Sequence, residues 1–209
     1  YDSNPLEYLF VNIVSIINPT KNSHGFNVNG FGLTDTEKKN STILRLSCPI
    51  ASNAFEGWSG TFDSGLNLMD TSIDHLTSMD NMFNGATGFN QDISGWDVRN
   101  VTTMRDMFLS NRNFNQSLNN WDTSNVINME SMFNGASSFN QDIEGWSVSN
   151  VNNMSYMFNG ASSFNQDIRN WSVNSGTTFT NMFLDATAFK NKYNANDTPD
   201  NTFFNIDFN

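Results

Sequence analysis

The sequence predicts an α/β solenoid, a stack of 25-residue coils in which each coil carries a short strand and a short helix or 3₁₀ turn. Three observations predict it. Trp96, Trp121, Trp146 and Trp171 recur every 25 residues. Ile93, Leu118, Ile143 and Ile168 keep the same interval, as do Phe89, Phe114, Phe139, Phe164 and Phe189. The pair Asn-Gln then returns in register at Asn90-Gln91, Asn115-Gln116, Asn140-Gln141 and Asn165-Gln166.

Residues 1–42 stand outside the period and are expected to close the open N-terminal end as a cap. Asn4-Pro5-Leu6-Glu7 reads as a helix start, with Asn4 as the cap and Pro5 in the first turn. The apolar run to Ile17 then gives a helix that ends before Asn18-Pro19, although its Val and Ile content also suits a strand. Lys21 to Asn40 reads as loops around a short strand near Phe26-Val28. The solenoid spans 43–189, with degenerate coils over 43–75 and regular ones over 76–189. Counting back from Ile93 places Ile43, Leu46, Cys48 and Ala51 in the first coil and Leu68, Thr71, Ile73 and Leu76 in the second. Cys48 is thus expected to be a small buried apolar residue. Residues 190–209 form a C-terminal cap or tail, with Phe204, Ile206 and Phe208 alternating like one more strand.

Within a coil, Trp146-x-Val148 alternates as a strand does, with both side chains inward. Val151, Met154, Met157 and Phe158 fall at i, i+3, i+6 and i+7, the stripe of a short helix or 3₁₀ turn. In the sixth coil Gly176 takes the place that Val151 has in the fifth. Gly85, Gly135 and Gly160 follow where a left-handed backbone suits a helix exit. Ser110 and Asp185 stand there in two coils, so the conformation is either not strictly left-handed or held at a cost of about 1 kcal/mol. One coil cannot bury its apolar face alone; stacking on its neighbours does it.

Composition narrows the function. The net charge is −11 with only 10 Lys+Arg and no basic run. Phosphate neutralisation needs clustered cations, so neither nucleic acid nor an anionic membrane is a fitting partner. No apolar run approaches the ~20 residues of a membrane span, so no direct insertion is expected. The first residue is Tyr1, so any signal peptide or lipidation site is expected to precede it or to have been removed. Cys48 is the single cysteine, which excludes an internal disulfide framework. Sequons begin at Asn40, Asn100, Asn115, Asn153, Asn170 and Asn196, as chance gives in a chain this rich in Asn and Ser. His24 and His75 are isolated from any Ser, Cys or carboxylate pairing, so no catalytic residue is assigned and the chain is read as no enzyme.

Asp142 and Asp167, with Asp92 in the same column, are the candidate metal residues. Oxygen-rich turns suit a structural Ca²⁺, and like charges about 5 Å apart repel unless something relieves them. The plainer reading is that each Asp caps local amides, and no cofactor is otherwise expected. The Asn-Gln steps read as side-chain ladders running from coil to coil. Between the inward Trp and Val positions lie Asp97, Arg99, Asn120, Asp122, Ser124, Ser147, Ser149, Asn170, Ser172 and Asn174, with Gly95 and Gly145. They face outward together and form the candidate partner surface. It lacks the aromatic anchors of a strong hot spot.

The coil Ile143-x-x-Trp146-x-Val148-x-x-Val151, running into Met154-x-x-Met157-Phe158-x-Gly160-Ala161-x-x-Phe164-Asn165-Gln166-Asp167-Ile168, resembles the repeat of BspA-like leucine-rich-repeat surface proteins. The same repeat occurs in mycoplasma-type surface lipoproteins. The resemblance covers about residues 74–189 and departs at Ser110-Asn111, Ser117 and Thr123. It implies a right-handed, leucine-rich-repeat-like solenoid on a secreted or cell-surface protein, with adhesion to other surface or matrix proteins and no catalytic motif. No lipobox or wall-sorting signal accompanies it. The expected function is therefore a monomeric, non-catalytic interaction module. The alternative is a rigid spacer of a larger surface protein without its own ligand. Ice or flat-surface recognition is disfavoured by the mixed Asp, Arg and Asn of the polar face.

Overall fold

A computed structural model describes residues 73, 74 and 76–204, and before them Glu56 alone. The expected N-terminal cap, the coils expected before Ile73, Cys48, both histidines and the strand expected at Ile206-x-Phe208 lie outside the described residues.

Neighbouring repeats lie side by side, joined by parallel bridges at Ser78, Thr103, Asn128, Asn153 and Thr178. Around each bridge the backbone alternates its donors. The N–H groups of Met79, Asn81, Phe83 and Gly85 reach the next repeat, donating to the carbonyls of Thr103, Arg105, Met107 and Leu109. Those of Met82, Asn84 and Ala86 turn back three residues, to Met79, Asn81 and Phe83. The pattern repeats from Met104, Met129 and Met154. Left-handed residues at the third place of two turns per repeat produce it: Asn81, Asp106, Ser131, Tyr156 and Asn181, then Gly85, Ser110, Gly135, Gly160 and Asp185.

This segment is therefore a row of turns, and the helix or 3₁₀ turn expected over Val151–Phe158 does not form there. A helix would spend every N–H inside its own repeat, whereas the turns spare alternate ones to bind the neighbour. The stripe itself holds, since Met154, Met157, Phe158 and Ala161 are all fully buried. Ser110 and Asp185 adopt the left-handed backbone with φ of 57° and 59°, as the glycines do.

The Trp-x-Val segments also differ from expectation. Their inward alternation is kept, with Trp96, Trp121, Trp146 and Trp171 buried and Val98 and Val148 beside them. No strand forms there among the described residues. Spacing explains why. Trp96 stacks on Trp121 at 6.5 Å and 3°, and Trp121 on Trp146 at 6.4 Å and 4°. For near-parallel rings repeated along the stack, that separation is the local step between repeats. It exceeds the ~4.8 Å that backbone pairing requires. Side chains span the gap instead. The indole N–H of Trp121, Trp146 and Trp171 donates to the carbonyls of Ile93, Leu118 and Ile143. Likewise Asn100, Asn125 and Asn150 donate to the carbonyls of Asp74, Arg99 and Ser124.

Between these two sides lies a slab of phenylalanine. Within repeats Phe83 stacks on Phe89 at 3.8 Å and Phe133 on Phe139 at 4.0 Å. Across repeats Phe83, Phe108 and Phe133 step at 5.5 Å. One register slip corrects the sequence reading. Gly176 is exposed, and Thr177 is buried where Val151 stands in the preceding repeat. Its N–H closes a turn on Asn174, one residue later than the turn from Val151 to Val148.

The C-terminal end is closed by α1 (Thr187–Tyr193), which carries Phe189 into the phenylalanine column against Phe164 at 5.6 Å. The chain then returns beneath the last turns. Asp197 accepts from the N–H of Phe183 and the Thr198 hydroxyl from that of Asn181. Lys190 is ion-paired with Asp197. A 3₁₀ turn at Asn201–Phe203 follows, and Phe204 packs on Phe179 at 5.0 Å.

Candidate interaction surface

The Trp-flanking positions lie outside the core. Arg99, Asn120, Asp122, Ser147, Ser149, Asn170, Ser172 and Asn174 are exposed, with Gly95 and Gly145, while Asp97 and Ser124 are half-buried. They occur together because Trp and Val face inward and place each intervening residue outward. The Arg99 guanidinium donates to both carboxylate oxygens of Asp97, at 2.9 and 2.6 Å. That hydrogen bonding holds the Asp97 carboxyl below its usual range. Asp122 is lowered chiefly by the Ser124 hydroxyl, and its Oδ1 also accepts from the Ser124 N–H at 3.1 Å. Asn170 donates to Glu144 at 3.2 Å, and Asn174 accepts from the Gly176 N–H at 2.8 Å. A shallow cleft of about 380 Å³ opens between two repeats here, walled by Ser94, Gly95, Asp97 and Arg99 on one side and Asn120 and Asp122 on the other.

The acidic column is engaged locally. Asp92 accepts from the N–H of Ser94 and Asp142 from that of Glu144, both at 2.9 Å. Asp167 pairs with Arg169, whose Nε and terminal nitrogen donate at 2.9 and 2.8 Å and hold its carboxyl low. Among the described residues no three His, Cys, Asp or Glu side chains gather as a metal-binding group.

The Asn-Gln steps form ladders. Asn115 Oδ1 accepts from the Asn140 N–H and from Gln141 Nε2, both at 2.9 Å. Asn90 and Asn140 serve Asn115-Gln116 and Asn165-Gln166 in the same way. At the end, the Asn165 carbonyl accepts from Lys192 Nζ and the Tyr193 hydroxyl.

A model of the family described as "Mycoplasma protein of unknown function, DUF285" matches the chain twice, over residues 51–147 and 118–208. The chain belongs to this family. The two matches overlap within the DUF285 repeats and together take in most of the 209 residues. No curated protein and no solved structure matches the chain. Among the described residues no helix is long and apolar enough to cross a membrane.

Two features of this DUF285 chain escape a reading of columns. The side of the coil on which the backbones of neighbouring repeats pair, the ladder side, carries its own outward residues, among them Asp80, Arg105, Asp106, Glu130, Ile127 and Tyr156. The signal was Tyr156, a bulky side chain in a column otherwise filled by Asn, Asp and Ser. The second is Asn111, fully buried where other repeats have alanine, with neither side-chain polar atom hydrogen-bonded.

Proposed function

We propose that the chain is a right-handed, leucine-rich-repeat-like solenoid that serves, at the cell surface or after secretion, as a non-catalytic module for binding other surface or matrix proteins, and that it acts as a monomer. The observation that supports this reading is the separation of duties between columns. The indole column is invariant over four repeats, and each indole N–H of Trp121, Trp146 and Trp171 is committed to a neighbouring carbonyl. The outward columns are not held in this way: Asp97 and Asp122 give way to Ser147 and Ser172 in one, and Arg99 to Ser124 and Ser149 and then Asn174 in the other. Such a scaffold varies its surface without disturbing its interior, as repeat proteins that bind through extended faces do.

A rigid spacer without its own ligand is the second reading, supported by the ladders that tie Asn115, Asn140 and Asn165 together. Capture of the chain by a panel of immobilised matrix proteins and glycans separates the two. Saturable binding to one or a few members supports the module. Uniform silence supports the spacer.

A further inference from the structure

Neighbouring repeats do not keep one separation across the coil. On the ladder side, N–H···O bonds of 2.7–3.0 Å fix them at the ~4.8 Å of paired backbones. Through the phenylalanine slab the step is 5.5–6.1 Å, and at the indoles it is 6.4–6.5 Å. A stack of such wedges bends, with the ladder side as its inner, concave surface and the Trp-flanking side as its outer one. Concave faces are where solenoids offer the most contact to an elongated partner.

Among the described residues, the large apolar side chain left exposed is on that side: Ile127, at 49%. One repeat further on, Tyr156 is held half-exposed at φ 59°. A left-handed backbone is unfavourable for a bulky residue, and Asn81, Ser131 and Asn181 fill the same place without an aromatic ring. The packing of the repeats requires neither side chain. Along the same side the charge is mainly negative, from Asp80, Asp106 and Glu130 against Arg105; Asp80 and Glu130 each accept on one carboxylate oxygen, from Thr103 and Asn153, which leaves the other oxygen to a cation. Arg105 is itself 3.4 Å from Asp106.

We propose that the ladder side receives a partner, and that it fits an extended basic polypeptide bearing one large apolar side chain. The apolar side chain packs against Ile127 and Tyr156, and the cations meet Asp80, Asp106 and Glu130. This rests on the reading of the chain as an interaction module and places that interaction on the opposite side from the Trp-flanking residues.

The test uses the full chain and a synthetic 15-residue peptide with alternating lysines and a central leucine. Two control peptides replace each lysine by glutamate or the leucine by serine. Affinity is read by fluorescence anisotropy, beside capture on the matrix panel. Binding of the lysine–leucine peptide is expected to weaken about tenfold, the scale of an anchor contact, on Ile127→Ser, on Tyr156→Asn and on loss of the leucine. Glu130→Gln weakens it as well, Asp122→Asn on the Trp-flanking side does not, and added salt reduces it throughout. Tyr156→Asn restores a residue suited to the left-handed backbone, so it is expected to raise the melting temperature while it weakens binding; a merely structural tyrosine would lower both. Equal loss with Asp122→Asn, equal binding of the glutamate peptide, or no peptide binding while the panel still captures the chain would overturn the ladder-side proposal and leave the module standing. Silence of both peptide and panel overturns the module with it.

Discussion

The indole Nε1 of Trp146 donates to the carbonyl of Leu118 across the gap between two repeats, at 2.9 Å. The same carbonyl accepts from the backbone N–H of Trp121, so both of its lone pairs are used. Tryptophan is therefore demanded here by its donor as well as by its bulk. Trp146→Phe keeps an aromatic ring but removes the donor and leaves space. It is expected to cost about 1–3 kcal/mol, seen as a lower urea midpoint at unchanged m value. An unchanged midpoint would show that the indole bond is not what holds the outer side together.

The amide ladder makes a different kind of prediction. Asn140 Oδ1 serves two donors of the next repeat, the Asn165 N–H and Gln166 Nε2. Asn140→Ala strands the Asn165 N–H, while Gln166 Nε2 keeps the Asn140 main-chain carbonyl at 3.0 Å, and is expected to cost about 1–3 kcal/mol. Asn140→Asp keeps the accepting oxygen and should cost less. The order of the two variants in thermal melts is the measurement, and the reverse order contradicts an acceptor role.

Asn111 interrupts the column of Ala86, Ala136 and Ala161 and is buried with its amide unpaired. Asn111→Ala removes that desolvated group and is expected to stabilise by about 1–3 kcal/mol. At ~2–4 °C per kcal/mol for a chain of this size, the melting temperature should rise by several degrees. A fall would mean that the neighbouring alanines leave a cavity that the amide fills.

Burial raises the carboxyl of Asp106 above its usual range, against the pull of Arg105. A raised native pKa means that the folded state holds a proton the unfolded state has released. Its destabilising effect is absent below the unfolded value near 3.9, grows as pH rises through the native value, and is full above it. Asp106→Asn suits the left-handed backbone, as Asn81 and Asn181 do in the same column. It is expected to raise the melting temperature at pH 7 and to lose that advantage by about pH 3. An advantage that grew toward acid pH would contradict the desolvation argument.

Calcium is expected to leave the melting midpoint unchanged at millimolar concentration. Asp142 is satisfied by the Glu144 N–H and Asp167 by the Arg169 guanidinium, so binding the ion would have to displace bonds already made. A midpoint that rises with Ca²⁺ and falls on chelation would assign the acidic column to the cation after all.

Much of this arrangement was legible in the residues. Trp146, Val148, Met154, Phe158 and Phe164 announced themselves as interior by recurrence, and all are buried. Gly135 and Gly160 marked the left-handed position that Ser110 and Asp185 also adopt. The Asn-Gln ladder was readable because each side-chain amide had an equivalent one period away. What could not be read was which stretch of the coil would pair its backbone. Alternation at Trp146-x-Val148 reports only which side chains point inward; pairing depends on the separation between repeats, which the ring sizes on each side set jointly. The slip at Gly176–Thr177 was hidden likewise, because a strict count has no means of skipping a residue. On the candidate surface, outward placement was legible, but the widening from paired backbones to the 6.4–6.5 Å indole step was not.

The alternation of N–H groups around Met79, Asn81, Phe83 and Gly85 also governs how such a chain can change length. Each axial donor meets an acceptor 24 residues ahead, whatever the side chains are. Excising a whole period, such as residues 101–125, rejoins equivalent partners on both sides of the cut. Removing three or four residues misaligns the axial bonds beyond it. Genes for this architecture can therefore lengthen or shorten by recombination between repeats, in quanta of 25 codons, with each product inheriting a ready-made interior.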